Sequence, residues 1–298
     1  MSISKYRAFI QVVEAGSLTK AAIQLGYSQP GVSHMIDSLE ADMGFPLLVR
    51  NKDRIVPTEN GKQILSYCYQ IIKKEEELQE TVSSINGIME GDIKLGAYCS
   101  LMAEFIPRAV RAFSNVYSKI HFHLYEVEAG AFEDNLTRGI IDIGFMSEHI
   151  PRGYTFIPLF RDQARVIMCK DHPLSKHEQL VPHMLNGCDF IMPVPGFDDI
   201  ISSIQQEAPF TPNIKYYPAS DTCAISMVSH DLGISVISSL QVNQLPSNVI
   251  ARDLGGDYGR NLGICIKSAK HAAPAIKEFI RIAKETAAQM KSENLMVK

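Results

Sequence analysis

The stretch Ser28-Gln29-Pro30-Gly31-Val32-Ser33-His34-Met35-Ile36-Asp37-Ser38-Leu39 decides the fold of the first part of the chain. Ser28 is suited to accept from the free N–H groups that open a helix, and Pro30 is tolerated in a first turn that needs no N–H of its own. Val32, Ile36, Leu39 and Met43 then recur at steps of three and four, the spacing of one helical face. With that face buried, Gln29, Ser33 and His34 near the N-terminal end point outward. Gln and Ser both donate and accept, which suits base edges in a major groove, and the positive end of the helix dipole favours a phosphate beside them.

Toward the N-terminus two more helices are predicted. Ser4 is expected to cap the first, whose stripe is Tyr6, Phe9, Ile10 and Val13. Gly16 ends it, because a residue without Cβ takes the left-handed conformation of a helix C-terminus at little cost. Ser17 caps the second helix, which carries Leu18, Ala21, Ala22 and Leu25 on one face and closes at Gly26. The small Ala21 and Ala22 let the second and third helices approach closely. Three short helices with tight glycine turns make a helix-turn-helix unit. In the other direction, Leu47 to Val49 and Ile55 to Thr58 flank the tip Arg50-Asn51-Lys52-Asp53-Arg54. Two brief strands with a basic tip form a wing whose Arg50, Lys52 and Arg54 are placed to touch phosphate or a minor groove.

This order of residues resembles the N-terminal domain of LysR-type transcriptional regulators. The resemblance is carried by Phe9 with Val13, Gly16-Ser17-Leu18, and Ala21-Ala22 with Leu25. It continues through Ser28-Gln29-Pro30 with Val32-Ser33, Leu39-Glu40, Gly44, Pro46-Leu47, Arg50, and Pro57-Thr58 with Gly61. It implies double-stranded DNA as a partner, met by Ser28, Gln29, Pro30, Ser33, His34, Arg50, Lys52 and Arg54. The chain departs from the family after Val32-Ser33, where Arg and Gln are usual and His34 and Met35 stand instead. Further along, Asp37 and Ser38 replace commonly basic residues. Over residues 1–60, Lys5, Arg7, Lys20, Arg50, Lys52 and Arg54 are matched by Glu14, Asp37, Glu40, Asp42, Asp53 and Glu59, so the formal charge is zero. Long-range attraction to DNA is therefore modest, and affinity rests on local geometry and on binding as a dimer. Asp37 shares the outer face with Gln29 and Ser33. It would repel a phosphate unless it accepts from a cytosine amine or a neighbouring Arg.

From Glu59 to about Ile85 one long helix is predicted, with Ile64, Cys68, Ile71, Leu78, Val82 and Ile85 as a narrow seam broken by Glu75. A seam of this kind usually pairs with another helix, and the family resemblance implies dimerisation here. Asn86-Gly87 and Gly91 supply the break. Beyond it strand-like and helix-like segments alternate, the pattern of parallel α/β layers. Strands are expected at 93–96, 120–127, 141–146, 165–169, 190–192, 214–217, 234–237 and 262–266. Helices are expected at 101–113, 131–138, 198–207, 221–230 and 274–290.

Two such halves joined twice resemble a periplasmic-binding-protein fold, which the family also implies for its effector domain. The whole chain is thus read as α/β, with a winged helix-turn-helix over 1–58, a linker and dimerisation helix over 59–87, and an effector-binding domain over 88–298. Crossovers near Arg161-Asp162 and Cys265 to Ser268 divide that domain into subdomain I, 88–161 with 268–298, and subdomain II, 162–267. Ligands of open α/β sheets sit at strand C-termini, where helix N-termini point amides inward. Cys99, Ser100, Ala129-Gly130, Ser147, Pro195-Gly196-Phe197 and Ser220-Asp221-Thr222 are the candidates on that ground. Of these, Ser100, Gly130, Phe197 and Thr222 fall where the family's effector contacts generally lie. Hydroxyls and backbone amides with few fixed cations suit a small polar or anionic metabolite. Arg161 and Arg165 stand near the hinge.

Composition narrows the remaining classes. The 298 residues are 46% hydrophobic and 21% charged, with a formal net charge of -4, which excludes a disordered tail and a protein that holds nucleic acid by bulk charge alone. No apolar run approaches the roughly 20 residues that cross a bilayer, and Met1 to Tyr6 lack the apolar core of a signal peptide. Cys68, Cys99, Cys169, Cys188, Cys223 and Cys265 form no Cys-x-x-Cys pair, so reduced thiols in a cytoplasmic protein are expected. His121 and His123 share one strand face without an identifiable third metal ligand. Adjacent Ser147-Glu148-His149 is not the geometry of a triad. No dinucleotide, phosphate-loop or nucleophile-elbow fingerprint is present, so neither enzyme activity nor a cofactor is expected. The reading is a DNA-binding regulator modulated by a small-molecule effector. A homodimer or homotetramer and RNA polymerase complete its expected partners. Two alternatives remain: a ligand-binding α/β protein whose helical module no longer binds DNA, and a cysteine-based redox sensor. For the second, Cys99 is a better candidate than the widely spaced Cys188 and Cys223.

Overall fold

The first helix, α1 (Ile3–Ala15), ends at Gly16 with φ 63°, and α2 (Leu18–Leu25) ends at Gly26 with φ 69°. Both glycines take the left-handed conformation that turns the chain without a Cβ clash. Ser17 Oγ accepts from the Lys20 N–H to open α2, and Ser28 Oγ accepts from the Gly31 N–H to open α3 (Gln29–Met43). Ser4 is not the cap of α1. Ser2 holds the extended N-cap conformation, and Ser4 lies inside the first turn with its hydroxyl 3.0 Å from that of Ser2. These observations come from a computed structural model that describes residues 2–50, 54–85, 90–192 and 200–293.

The wing consists of β1 (Leu48–Arg50) and β2 (Ile55–Pro57), paired antiparallel. It is fastened to the helices by side chains the family-like motif contains. Glu40 accepts from the Leu47 and Leu48 N–H groups at 2.6 and 3.0 Å. Thr58 Oγ1 accepts from the Gly61 N–H at the start of α4 (Glu59–Ile85) and donates to the Pro46 carbonyl. A Cβ at Gly61 would collide with the Leu47 carbonyl oxygen, so the close approach of α4 to the wing requires glycine. Ala8, Phe9, Val12, Ala21, Val32, Ile36, Leu39 and Leu47 are buried in one core, joined by Cys68 of α4.

The seam read on α4 belongs to two faces. Ile64, Cys68 and Ile72 turn inward, with Cys68 and Ile72 buried. Tyr67, Ile71, Leu78 and Val82 are exposed apolar residues. Glu75, which looked like an interruption, accepts from Arg7 Nη2 of α1 at 2.9 Å and so belongs to the inward side.

Contact density divides the chain into a unit of Met1–Ile88 with Thr137–Ile140 and a unit of Met89–Leu136 with Ile141–Lys298. The second unit follows the order β3 (Gly91–Ala97), α5 (Cys99–Ser114), β4 (Ile120–Glu126), α6 (Phe132–Thr137), β5 (Ile143–Ser147) and β6 (Thr155–Cys169). It continues with β7 (Gln179–Leu180), β8 (Asp189–Ile191), α7 (Ile200–Glu207), β9 (Asn213–Tyr216), α8 (Asp221–Ser229) and β10 (Ser235–Ser238). A 3-10 segment over Ser239–Gln244, β11 (Val249–Leu254), β12 (Gly259–Ile266) and α9 (Pro274–Ser292) complete it.

The layers are mixed rather than parallel throughout. β3 pairs parallel with β4 and β5, whereas β12 runs antiparallel to β5 and β6, and β10 and β11 run antiparallel to β6. One curled sheet of order β4-β3-β5-β12-β6-β11-β7 results, with β10 also on β6. The long strand β6 is the spine of both halves. Its first part pairs with β12 and its second with β10 and β11. The return to the first half occurs at the start of β12, since Leu262 to Cys265 already pair with β5. The expected return near Cys265 to Ser268 therefore falls too late in the chain.

Each half has its own core. In the first, Phe279 of α9 packs at 5.5 Å on Phe113, 5.2 Å on Phe122 and 6.1 Å on Phe145, so the last helix closes the first half. In the second, Val166, Met168, Phe190, Ile204, Phe210 and Ile234 pack on one face of β6, and Ile167, Ala224, Val228 and Ile237 on the other. The alternation of β6 side chains between these clusters follows from the two-residue period of a strand.

Candidate functional sites

In the N-terminal unit, burial of Val32, Ile36 and Leu39 fixes which side of α3 faces out. Ser28, Gln29, Pro30 and His34 are exposed and Ser33 is half-buried. The Ser28 hydroxyl is engaged as the helix cap. Arg50 does not stand free beside them: its Nη2 donates to Asp37 Oδ1 at 2.8 Å, and Ser33 Oγ donates to Asp37 Oδ2 at 3.5 Å. A neighbouring Arg is thus the partner that Asp37 finds. Arg54 lays its stem over Gly16, while Ile55 N–H donates to the Gly16 carbonyl at 2.9 Å. Lys52 lies outside the described residues. Lys5 pairs with Asp42 at 2.9 Å and pulls that carboxyl below the usual carboxylate range. Arg7 is held by Glu75. Among the described residues of 1–60, Lys20 and Arg54 are the cations without an ion pair.

In the second unit the candidates at the strand ends do not all face open space. Cys99, half-buried at the start of α5, lines a pocket of about 120 Å³ with Glu126, Val127 and Glu128. Gly130 is exposed in the next turn and no atom lies within 4 Å of where its Cβ would be. Thr222 is exposed in the first turn of α8, whose cap is Ser220 Oγ accepting from the Cys223 N–H. Phe197, with Pro195 and Gly196, lies outside the described residues. Ser100 and Ser147 are fully buried and hydrogen-bonded within the protein.

Their partners form a polar cluster that sequence reasoning missed. Arg260 on β12 donates from Nε and Nη2 to Asp162 Oδ2, both at 3.2 Å, and from Nη2 to Ser100 Oγ at 3.3 Å. Its guanidinium carbon lies 5.0 Å from the centre of the Tyr98 ring, and Tyr98 Oη is 3.2 Å from Ser147 Oγ. The other oxygen of Asp162 accepts from Ser238 Oγ, Ser239 N–H and Ser239 Oγ at 2.9, 3.1 and 3.0 Å. The Arg260 and Asp162 side chains are 4% and 0% exposed, and the hydrogen bonds around them offset the cost of burying both charges. It ties β6 and β12 to α5 of the first half and to the β10 turn of the second. Asp162 entered the sequence reading only as a crossover and Arg260 not at all. Local sequence offered no signal for either, since Asp162 sits between Arg161 and Gln163 and Arg260 between Gly259 and Asn261, and both lie outside the strands expected there. Their pairing across 98 positions needs the topology.

Arg161 and Arg165 are both engaged. Arg161 Nε donates to Asp257 Oδ1 at 2.7 Å and Arg165 Nε lies 3.1 Å from Asp253 Oδ1. His123 is 2.7 Å from Asp92, and no group of three metal-ligating side chains is found among the described residues. None of the six cysteines is in a disulfide. Burial pushes the Cys68 thiol up to about 11 and that of Cys265 to about 12, and burial with nearby Asp189 raises that of Cys188. At all three positions the surroundings work against the thiolate, the reactive form of the side chain.

Comparison with known proteins places this architecture. Residues 3–62 match the family described as bacterial regulatory helix-turn-helix protein, lysR family, and residues 87–288 match the LysR substrate binding domain. The chain belongs to the LysR family of DNA-binding transcriptional regulators with an effector-binding domain, whose members bind DNA and small molecules and form oligomers. Among its relatives, the uncharacterized HTH-type transcriptional regulator YvbU of Bacillus subtilis (strain 168) is 28% identical over 288 residues, 96% of this chain and 98% of that protein. The Hca operon transcriptional activator HcaR of Escherichia coli (strain K12) is 24% identical, covering 97% of this chain and 99% of its own. Solved structures with the same fold include full-length CbnR complexed with its target DNA, with TM-score 0.70, 18% identity and coverage of 96% and 100%. Full-length OxyR C199D from Pseudomonas aeruginosa aligns with TM-score 0.78 and 19% identity over 96% and 94%. No helix among the described residues is long and apolar enough to cross a membrane.

Proposed function

We propose that the exposed first turns of α3 read base edges through Gln29, Ser33 and His34, with Ser28 and Pro30 shaping that turn. Arg54, Lys52 and Lys20 meet the phosphates, and Arg50 joins them once released from Asp37. The observation that carries this reading is the outward Gln29 and His34 on a helix that buries Val32, Ile36 and Leu39 on its opposite face. The exposed stripe Tyr67, Ile71, Leu78 and Val82 supports dimerisation through α4, because a row of large apolar residues at helical spacing is costly to leave in water. On this reading 1–58 binds DNA, 59–87 dimerises and 88–298 holds the effector. The second half of the effector domain begins at Asp162 and ends at Tyr258, just before β12.

The effector site of the proposal is the strand-end region of Cys99, Gly130 and Thr222, with Phe197 as a further contact. Ser100 and Ser147 support it from beneath rather than by touching ligand. Glu126 and Glu128 on the rim disfavour a dianion, so a small polar metabolite with at most one negative charge fits best. The Asp162–Arg260 cluster, which joins both halves, is the element through which a ligand's differential affinity for two states would act. The protein would work in the cytoplasm and without catalysis.

The test is footprinting of the purified chain on the DNA upstream of its own gene at two salt concentrations. Two phased, protected half-sites that weaken as salt rises support the assignment. No protection at low salt, together with no enrichment from a random-sequence library, overturns it. A melting-temperature screen with small hydroxy acids and carboxylates tests the effector: a ligand at a hundred times its Kd stabilises by about 2.7 kcal/mol.

A further inference from the structure

Asp37 stands exposed on α3, and it holds two residues that the proposed function assigns to DNA. Arg50 donates to its Oδ1 at 2.8 Å and Ser33 to its Oδ2 at 3.5 Å. The geometry is that of a guanidinium and a hydroxyl on the oxygens of a phosphate, reproduced inside the protein. Both side chains of the ion pair remain about half in water, at 49% for Arg50 and 57% for Asp37. Such a pair is held weakly enough for a nucleic-acid phosphate to displace the carboxylate.

We propose that Asp37 is an internal stand-in for phosphate: it competes with DNA for Arg50 and lowers affinity for sequence without a cognate site. The rival role, acceptance from a cytosine amine, fits the geometry less well. Asp37 lies eight residues beyond Gln29, roughly 12 Å further along the helix from the end that enters a groove. Each of its carboxylate oxygens already has a donor. The electrostatics of the unit make the competition matter. Lys5 and Arg7 are also held by carboxylates, and Lys20 and Arg54 alone among the described cations of 1–60 lack an ion pair. Freeing one more cation is therefore a large relative change in the charge available to a duplex. The consequence is a discrimination device. Non-specific contacts lose Arg50 to Asp37, whereas a site that already engages Gln29 and His34 holds the wing close enough for its phosphate to win.

The experiment measures binding of the full-length protein and its Asp37→Asn variant by fluorescence anisotropy over a range of salt. It uses one duplex selected from a random library and one unselected duplex of equal length. The variant is expected to bind the unselected duplex about two- to five-fold tighter, the range set by exposed ion pairs. Its preference for the selected duplex should shrink, and its log–log salt slope should steepen by about 0.9, the mark of one added phosphate contact. In an Arg50→Ala background most of the gain should vanish. Three results overturn the proposal. They are weaker binding to the selected duplex alone, which would make Asp37 a reader of a base; unchanged binding to both; or an equal gain with and without Arg50, which would reduce its role to general repulsion.

Discussion

Arg50–Asp37 in the wing and Arg260–Asp162 in the effector domain are the same two side-chain types in contact, at 2.8 and 3.2 Å. The first pair keeps about half its surface in water and the second almost none. Distance alone would rank the wing pair as stronger, but the surroundings reverse the order. In water the two charges are screened and their solvation is largely retained, so the pair is worth a fraction of a kcal/mol. In the interior both charges have lost their water, so removing one partner strands the other. The N-terminal unit thus keeps its charge mobile, as suits a surface that must exchange partners with DNA. The effector domain instead uses charge to join four elements at one point.

The largest effect that would break this comparison is at Arg260. Arg260→Met should cost about 3–5 kcal/mol in urea unfolding of the effector domain, because Asp162 is left buried and charged. The double variant Asp162→Leu, Arg260→Met should regain much of that loss, and a cycle showing simple additivity would refute the charge-compensation account. Next in size, Gln29→Ala should remove about 1–3 kcal/mol of preference for the selected duplex with the unfolding midpoint unmoved. Arg54→Ala should instead weaken all sequences alike and lower the salt slope by about 1. Equal losses on selected and random DNA for both variants would undo that division of roles. Ser17→Ala, which deletes the cap of α2, should destabilise the N-terminal unit by about 1 kcal/mol, read from its thermal transition. Smallest of all, Asp37→Ala should shift folding stability by less than about 1 kcal/mol. A larger shift would mean that the wing pair is structural after all.

Local features were the legible ones. Gly16, Ser17, Gly26 and Ser28 act on neighbours within three or four positions, so the bounds of α2 and α3 follow from the residues themselves. The same reasoning slipped by one residue pair at α1, where Ser2 and Ser4 offer the same hydroxyl and only backbone conformation decides. On α4 the seam merged two adjacent faces, because Cys68 and Ile71 are both apolar at compatible spacing although one is buried and the other 41% exposed. In the second unit the first part of β6 was read as a connection. Pro158 has no N–H for a sheet, and it sits where the β6–β12 register shifts beside its partner Gly263. β11, with Arg252 and Asp253 inside it, carried too little strand signal. Of the site, exposed helix residues were legible from the buried face. The Asp162–Arg260 cluster was not, since its members meet only when two distant strands are laid side by side.

The course of β6 and β12 sets an order of events during synthesis. The chain leaves the first half along β6 and comes back beside its own departure point, where the Ala164 N–H donates to the Tyr258 carbonyl at 2.9 Å. Everything between is one unbroken segment. The first half, by contrast, waits for β12 to fill the gap between β5 and β6 and for Phe279 to complete its aromatic core. On a ribosome the later-encoded lobe can therefore close first, as an autonomous insert, while the earlier-encoded lobe stays unfinished until the last helix emerges. A nascent chain stalled before β12 would hold a folded second lobe attached to an open first one.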